Sequence, residues 1–159
     1  MKCPSFKFIY LTFVFVMFTA LPAFGQPEVI NAKVVSVETG DTIVIRDFRN
    51  REHKLRLKGI AAPDGEVAET SRDYLSTLVS GKYVRIVRTK YDREGLLVGK
   101  ATFRGRDISL EMVIAGMARH FTGYAHDQPE EERQFYKAAE SNARKSGFNI
   151  WASSTSPPD

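Results

Sequence analysis

The chain has 159 residues, of which 43% are hydrophobic and 26% charged. That mixture fits one globular domain and excludes a disordered, fibrous or solenoid protein. The formal charge of +4 is too small to establish a polyanion partner by itself, and the one cysteine, Cys3, excludes an intramolecular disulfide. Three histidines without a thiol cluster give no zinc-ligand spacing.

Residues 1–25 read as an export signal. Lys2 and Lys7 make a basic start, Phe8 to Ala20 is an apolar stretch, and Ala23 and Gly25 supply the small residues that an export peptidase reads. Thirteen apolar residues fall short of the ~20 that span a bilayer, with an uncleaved membrane anchor as the alternative. Cleavage after Gly25 removes Cys3 and leaves 21 basic against 19 acidic residues, a net of +2. The product, residues 26–159, is expected to be periplasmic or secreted, without stable membrane insertion.

The first half of that product reads as strands. Val29–Val37 is rich in β-branched residues and ends at the turn Thr39-Gly40-Asp41, and Thr42–Asp47 follows. His53–Lys58 alternates, with Leu55 and Leu57 toward a core and Lys54, Arg56 and Lys58 on the opposite face. A helix is expected from about Glu66 to Val79, with Val67, Ser71, Tyr74, Leu75 and Leu78 as its stripe and Gly81 beyond its end. Strands Tyr83–Thr89 and Leu96–Phe103 flank the turn Asp92-Arg93-Glu94-Gly95, and Asp107 or Ser109 caps a short helix stopped by Gly116.

The last helix starts at Pro129, carries Glu130, Glu131 and Glu132 in its first turn and Arg144 and Lys145 in its last, and ends at Gly147. Its expected buried stripe is Phe135, Ala138, Ala139, Asn142 and Ala143. Trp151 reads as a core plug, and residues 152–159 as a disordered tail. Five short strands with a helix after the third fit an α+β fold, a Greek-key barrel of the oligonucleotide-binding type with about three helices.

The best polyanion footprint is the stretch Lys82, Arg85, Arg88, Lys90 and Arg93, interleaved with Tyr83 and Tyr91. A protected strand edge explains the same residues.

The ordered motifs resemble the staphylococcal nuclease-like (thermonuclease) family. They are Gly40-Asp41-Thr42, Arg56 through Asp64 (RLKGIAAPD), Asp92-Arg93-Glu94-Gly95, Met112-Val113 with Gly116-Met117-Ala118, and Ala139-Glu140 through Arg144 with Asn149-Ile150-Trp151. Together they run from about Val29 to Trp151. The resemblance implies a five-stranded barrel with three helices and hydrolysis of DNA and RNA phosphodiesters using calcium, and single-stranded DNA or RNA is the expected partner. The chemistry needs a hard cation held by carboxylates, a carboxylate beside the attacking water, and arginines whose planar fork donates to phosphoryl oxygens.

Carried over residue by residue, the resemblance assigns Asp41 as a calcium aspartate and Ala62 as the residue whose carbonyl reaches the metal. Asp64 stands where the family has a glutamate, and Arg56 is the first phosphate arginine. The second calcium aspartate is replaced by Ala61 and the second phosphate arginine by Leu96. Calcium binding is therefore expected to be weakened and cleavage impaired, since one lost donor to a developing oxyanion costs roughly 10²–10³ in rate. Glu94 adds a negative charge near the phosphate position. Tyr124 matches a loop aromatic that stacks on a base, with Arg88, Lys90 and Arg93 as further nucleic-acid contacts. Plainer readings stand beside these. Asp41 makes a turn, Arg56 pairs with Asp64 or Asp41, and Asp64 caps the following helix. The two functional expectations are a monomeric exported nuclease of low activity and a non-catalytic nucleic-acid- or partner-binding module on the same fold.

Overall fold

The computed structural model describes residues 28–123 and 128–155, with side chains up to Ala152. The export segment, Tyr124 and residues 156–159 lie outside the described residues. Eight strands and three α-helices follow in the order β1 (Val29–Val37), β2 (Thr42–Arg46), β3 (Glu52–Leu57), β4 (Ile60–Ala61), α1 (Val67–Val79), β5 (Tyr83–Tyr91), β6 (Leu97–Phe103), β7 (Arg106–Asp107), α2 (Ile108–Ile114), β8 (Arg119–His120) and α3 (Glu130–Ser146). A 3-10 helix, Asn149–Thr155, takes up the first residues of the expected tail.

Strands β3-β2-β1-β5-β6 form a continuous sheet that closes on itself where β3 runs parallel to β6, pairing Leu55 with Leu97 and Arg56 with Val98. The result is the expected five-stranded barrel. Closure follows from patterning: inward Ala32, Val34, Ile43, Ile45, Leu55, Leu57, Val84, Ile86, Leu97 and Ala101 are each less than 5% exposed. Gly99 permits the close approach of β6 to β5 beside the register shift at Arg88–Lys90, since a Cβ there would lie 2.8 Å from the Val87 carbonyl oxygen. Leu75 and Val79 of α1 and Met112 and Val113 of α2 complete the same core.

The helix ends follow local chemistry. Asp107 caps α2, its Oδ1 accepting from the Ser109 amide at 3.0 Å and the Leu110 amide at 3.4 Å. Gly147 ends α3 in the left-handed region at φ 62°. Trp151 packs with Ala143 and Ile150 as the expected plug, and Val67 rests against them.

The buried stripe of α3 differs from the expected one. Tyr136 and Ala143 are buried, whereas Phe135 is 60% exposed. The reason is polar. Tyr136 donates its hydroxyl to Asp107 Oδ2 at 2.9 Å, and Lys100 reaches both Asp107 at 2.9 Å and Glu132 at 3.1 Å. Burial works against the Lys100 charge, but the two carboxylates outweigh it and raise its pKa. Burial, followed by the Asp107 charge, holds the Tyr136 hydroxyl protonated.

Candidate active site

Two loops and one strand bring the central residues together. Thr42 pairs with Arg56 across β2 and β3, and the Leu57 amide donates to the Asp41 carbonyl at 2.7 Å. The turn before β2 thereby sits beside the end of β3. Gly40 is required there, because a Cβ would stand 1.9 Å from Ser71 Oγ on α1.

The Asp41 carboxylate is extensively hydrogen-bonded. Its Oδ1 accepts from Thr39 Oγ1 at 2.7 Å and Thr42 Oγ1 at 2.9 Å, and its Oδ2 accepts from the Ala62 amide at 3.1 Å. Asp41 therefore both makes the turn and clamps the loop after β4. The contact with Ala62 runs through the amide N–H, whereas the assigned metal role concerns the carbonyl.

Arg56 has different partners from the expected Asp64 or Asp41. Its Nη1 donates to Asp92 Oδ2 at 2.7 Å and its Nη2 to Glu94 Oε2 at 3.2 Å. Asp92 is itself fixed, its Oδ1 accepting from the Glu94 amide at 2.9 Å and the Leu96 amide at 2.8 Å. The turn between β5 and β6 thus neutralises the arginine that the motif assigns to phosphate.

Asp41 stands between two cavities. One, of about 290 Å³, is lined by Asp41, Arg56, Lys58, Lys90, Phe121 and Gln128 among others. The second, of about 450 Å³, is lined by Glu38, Asp41, Ala62, Asp64, Glu69 and Arg72 among others. Asp64 therefore shares a cavity with Asp41 and does not line the one that holds Arg56. It does not cap α1 either, for Glu66 occupies the N-cap and no side-chain bond closes it.

A calcium ion would have to be held by the oxygen donors around Asp41. Asp41 supplies one carboxylate, Ala61 supplies none, and among the described residues no group of three histidine, cysteine or acidic side chains converges. Calcium takes six to eight oxygens, so this set does not fit a tight calcium site.

The predicted nucleic-acid residues are dispersed. Lys90 lines the Arg56 cavity. Arg88 is engaged by Glu28 and lies 5.4 Å from the Tyr91 ring centre. Arg93 is exposed in the β5–β6 turn. Lys82, from the wider basic stretch, donates to the Thr77 and Leu78 carbonyls at the end of α1.

Sequence reasoning missed Phe121 and Gln128 as cavity residues. Phe121 is placed by its amide, which donates to the Gly59 carbonyl at 3.0 Å, and Gln128 by His120 and Glu132, each at 3.2 Å. The only signal for either is an aromatic and an amide around an unassigned histidine.

Residues 54–153 match the profile of the family described as "Staphylococcal nuclease homologue". The chain belongs to the staphylococcal nuclease family. An "Uncharacterized endonuclease" of Haemophilus influenzae is 34% identical over 146 residues, covering 91% of this chain and 78% of that protein. An "Uncharacterized endonuclease" of Escherichia coli O157:H7 is 34% identical over 101 residues, 62% of this chain and 65% of that one. A "Staphylococcal-like nuclease" of Arabidopsis thaliana is 28% identical over 114 residues, which are 67% of this chain but only 33% of the plant protein. The nuclease-family domain is thus common to proteins of quite different length. Among the described residues no helix is long and apolar enough to cross a membrane.

Proposed function

We propose that this nuclease-family domain, exported and monomeric, binds single-stranded DNA or RNA with one phosphodiester against Arg56 and hydrolyses it slowly. The observation that carries the reading is Arg56 on the wall of a cavity that also holds Lys58, Lys90 and the exposed ring of Phe121, with Asp41 beside it. Three cations and an aromatic suit a phosphate and its base.

The arrangement also supports the reading of slow hydrolysis. An incoming phosphate competes with Glu94 and Asp92 for the Arg56 fork. Leu96 supplies no second fork, which costs roughly 10²–10³ in rate. Asp64 offers a carboxylate to orient water, but from the neighbouring cavity. Calcium bound by so few charges is expected to be held weakly, in the millimolar range of about 10⁻⁴–10⁻³ M or above.

A second reading, binding without cleavage, is favoured by the engaged Arg56 fork together with Ala61 and Leu96. Cleavage of single-stranded DNA and RNA by the purified protein separates the two, followed with millimolar calcium or chelator and with Arg56→Ala as the control. Slow cleavage lost in the control supports the enzyme, and oligonucleotide binding without cleavage supports the binding module.

A further inference from the structure

The basic stretch of β5 looks like one patch in sequence and is two in space. Lys90 lies at the end of β5 that borders the Arg56 cavity, paired with Val98. Arg85 and Tyr83 lie toward the other end, about 17 Å and about 23 Å away by strand rise. There the register sets Lys33 opposite Tyr83, Asn31 opposite Arg85 and Arg85 opposite Thr102, all on the solvent side of the barrel. Arg104 joins them from the tight turn after β6, where it and Gly105 both have positive φ. Asn31, Tyr83, Arg85, Thr102 and Arg104 line a shallow groove whose volume is about 500 Å³, with Lys33 beside Tyr83 on the neighbouring strand.

Charge and chemistry point to one class of occupant. Lys33, Arg85 and Arg104 have no acidic partner among the described residues, in contrast to Arg88 and Arg106, which are engaged by Glu28 and Glu111. Tyr83 is 72% exposed and projects from the middle of this cationic surface. A surface protected only against edge pairing needs charge but no exposed ring, and this one lies on inner strands β1 and β5 of a closed barrel. Cations around an exposed aromatic are what a single-stranded polynucleotide uses, with phosphates on the guanidinium groups and a base on the ring.

We propose that the β1–β5–β6 face is a second contact for single-stranded nucleic acid, remote from the Arg56 cavity, with Arg85 and Arg104 on backbone phosphates and Tyr83 stacked on a base. As a contact for the strand that enters the cavity, it rests on the proposed function. It makes affinity depend on strand length, because a short ligand reaches only one of the two surfaces.

The test is fluorescence anisotropy of the purified protein with a labelled single-stranded DNA of about 20 nucleotides and with a dinucleotide, across a salt series. Arg85→Ala with Arg104→Ala is expected to weaken the long strand by about fivefold or more and to make the log–log salt slope shallower by about 1.4. The preference for the long strand over the dinucleotide shrinks correspondingly. Tyr83→Ala weakens the long strand by about fivefold or more and Tyr83→Phe preserves it, because stacking needs the ring and not the hydroxyl.

Unchanged affinity and slope in the double variant, with Arg56→Ala still weakening binding, overturn this inference and leave the cavity reading intact. Weakening by the double variant with no effect of Arg56→Ala does the reverse. No oligonucleotide binding by the unaltered protein overturns both. Variant-sensitive binding to phosphatidylglycerol vesicles in place of DNA assigns the face to a membrane and overturns this inference alone.

Discussion

Arg56 Nη1 and Asp92 Oδ2 meet at 2.7 Å across 36 positions of sequence, tying the end of β3 to the turn between β5 and β6. Asp92 is 9% exposed in this pair and Arg56 37%, so the carboxylate is shielded while the guanidinium still faces the cavity. One carboxylate thus closes its own turn through Oδ1 and restrains Arg56 through Oδ2.

Replacing Asp92 by alanine removes three accepted hydrogen bonds at a shielded position. The expected loss is about 2 kcal/mol of folding stability, read as a lower midpoint in urea with an unchanged slope. Asp92→Asn keeps an oxygen for the turn amides and loses less.

Asp41→Ala frees Thr39, Thr42 and the Ala62 amide together. A loss of about 1–2 kcal/mol is expected, with faster amide hydrogen exchange at Ala62. Unchanged stability and exchange would remove the clamp role and leave Asp41 to the cavity alone.

Asp47 gives the molecule an acid limb. The Arg51 amide, the largest influence, holds its carboxyl far below the ordinary range. Burial opposes this, and His53, the Arg51 side chain and the Arg49 amide add to the lowering. A depressed carboxylate contributes stability that is complete above its unfolded pKa near 4 and is lost as pH falls through the folded value. Melting temperature is therefore expected to fall progressively below pH ~4, and Asp47→Asn to lower it at pH 7 while flattening that acid limb.

The barrel was legible in the sequence because its signals are local. The β-branched run of β1, the alternation on β3, the helix after the third barrel strand, and the Asp107 and Gly147 helix ends all appear where the pattern puts them. The face of α3 was not, because Glu132, Tyr136 and Glu140 turn inward to partners on other elements, and a polar residue looks outward until its partner is known. The basic stretch misled for a related reason. Its five cations look equivalent in one dimension, but Lys82 caps α1, Arg88 is engaged by Glu28 and Lys90 enters the cavity. The hold of Asp92 on Arg56 was invisible as well, for neither periodicity nor motif spacing reports a contact between a strand and a turn so far apart in sequence.

Restoring the two replaced groups, Ala61→Asp with Leu96→Arg, returns one carboxylate and one fork to the site. Cleavage in millimolar calcium is expected to rise by at least ~10²-fold. No gain would place the defect in the geometry of the site and not in its missing side chains.

The most direct test of the central claim, that a phosphodiester is received at Arg56 against competition from Glu94, is the cleavage rate of single-stranded DNA by three proteins side by side. Glu94 is 70% exposed, so Glu94→Gln costs little stability while weakening one of the two restraints on the guanidinium. The predicted order is Glu94→Gln fastest, the unaltered protein slower, and Arg56→Ala at background. Equal rates in the unaltered protein and Arg56→Ala, or a slower Glu94→Gln, would contradict it.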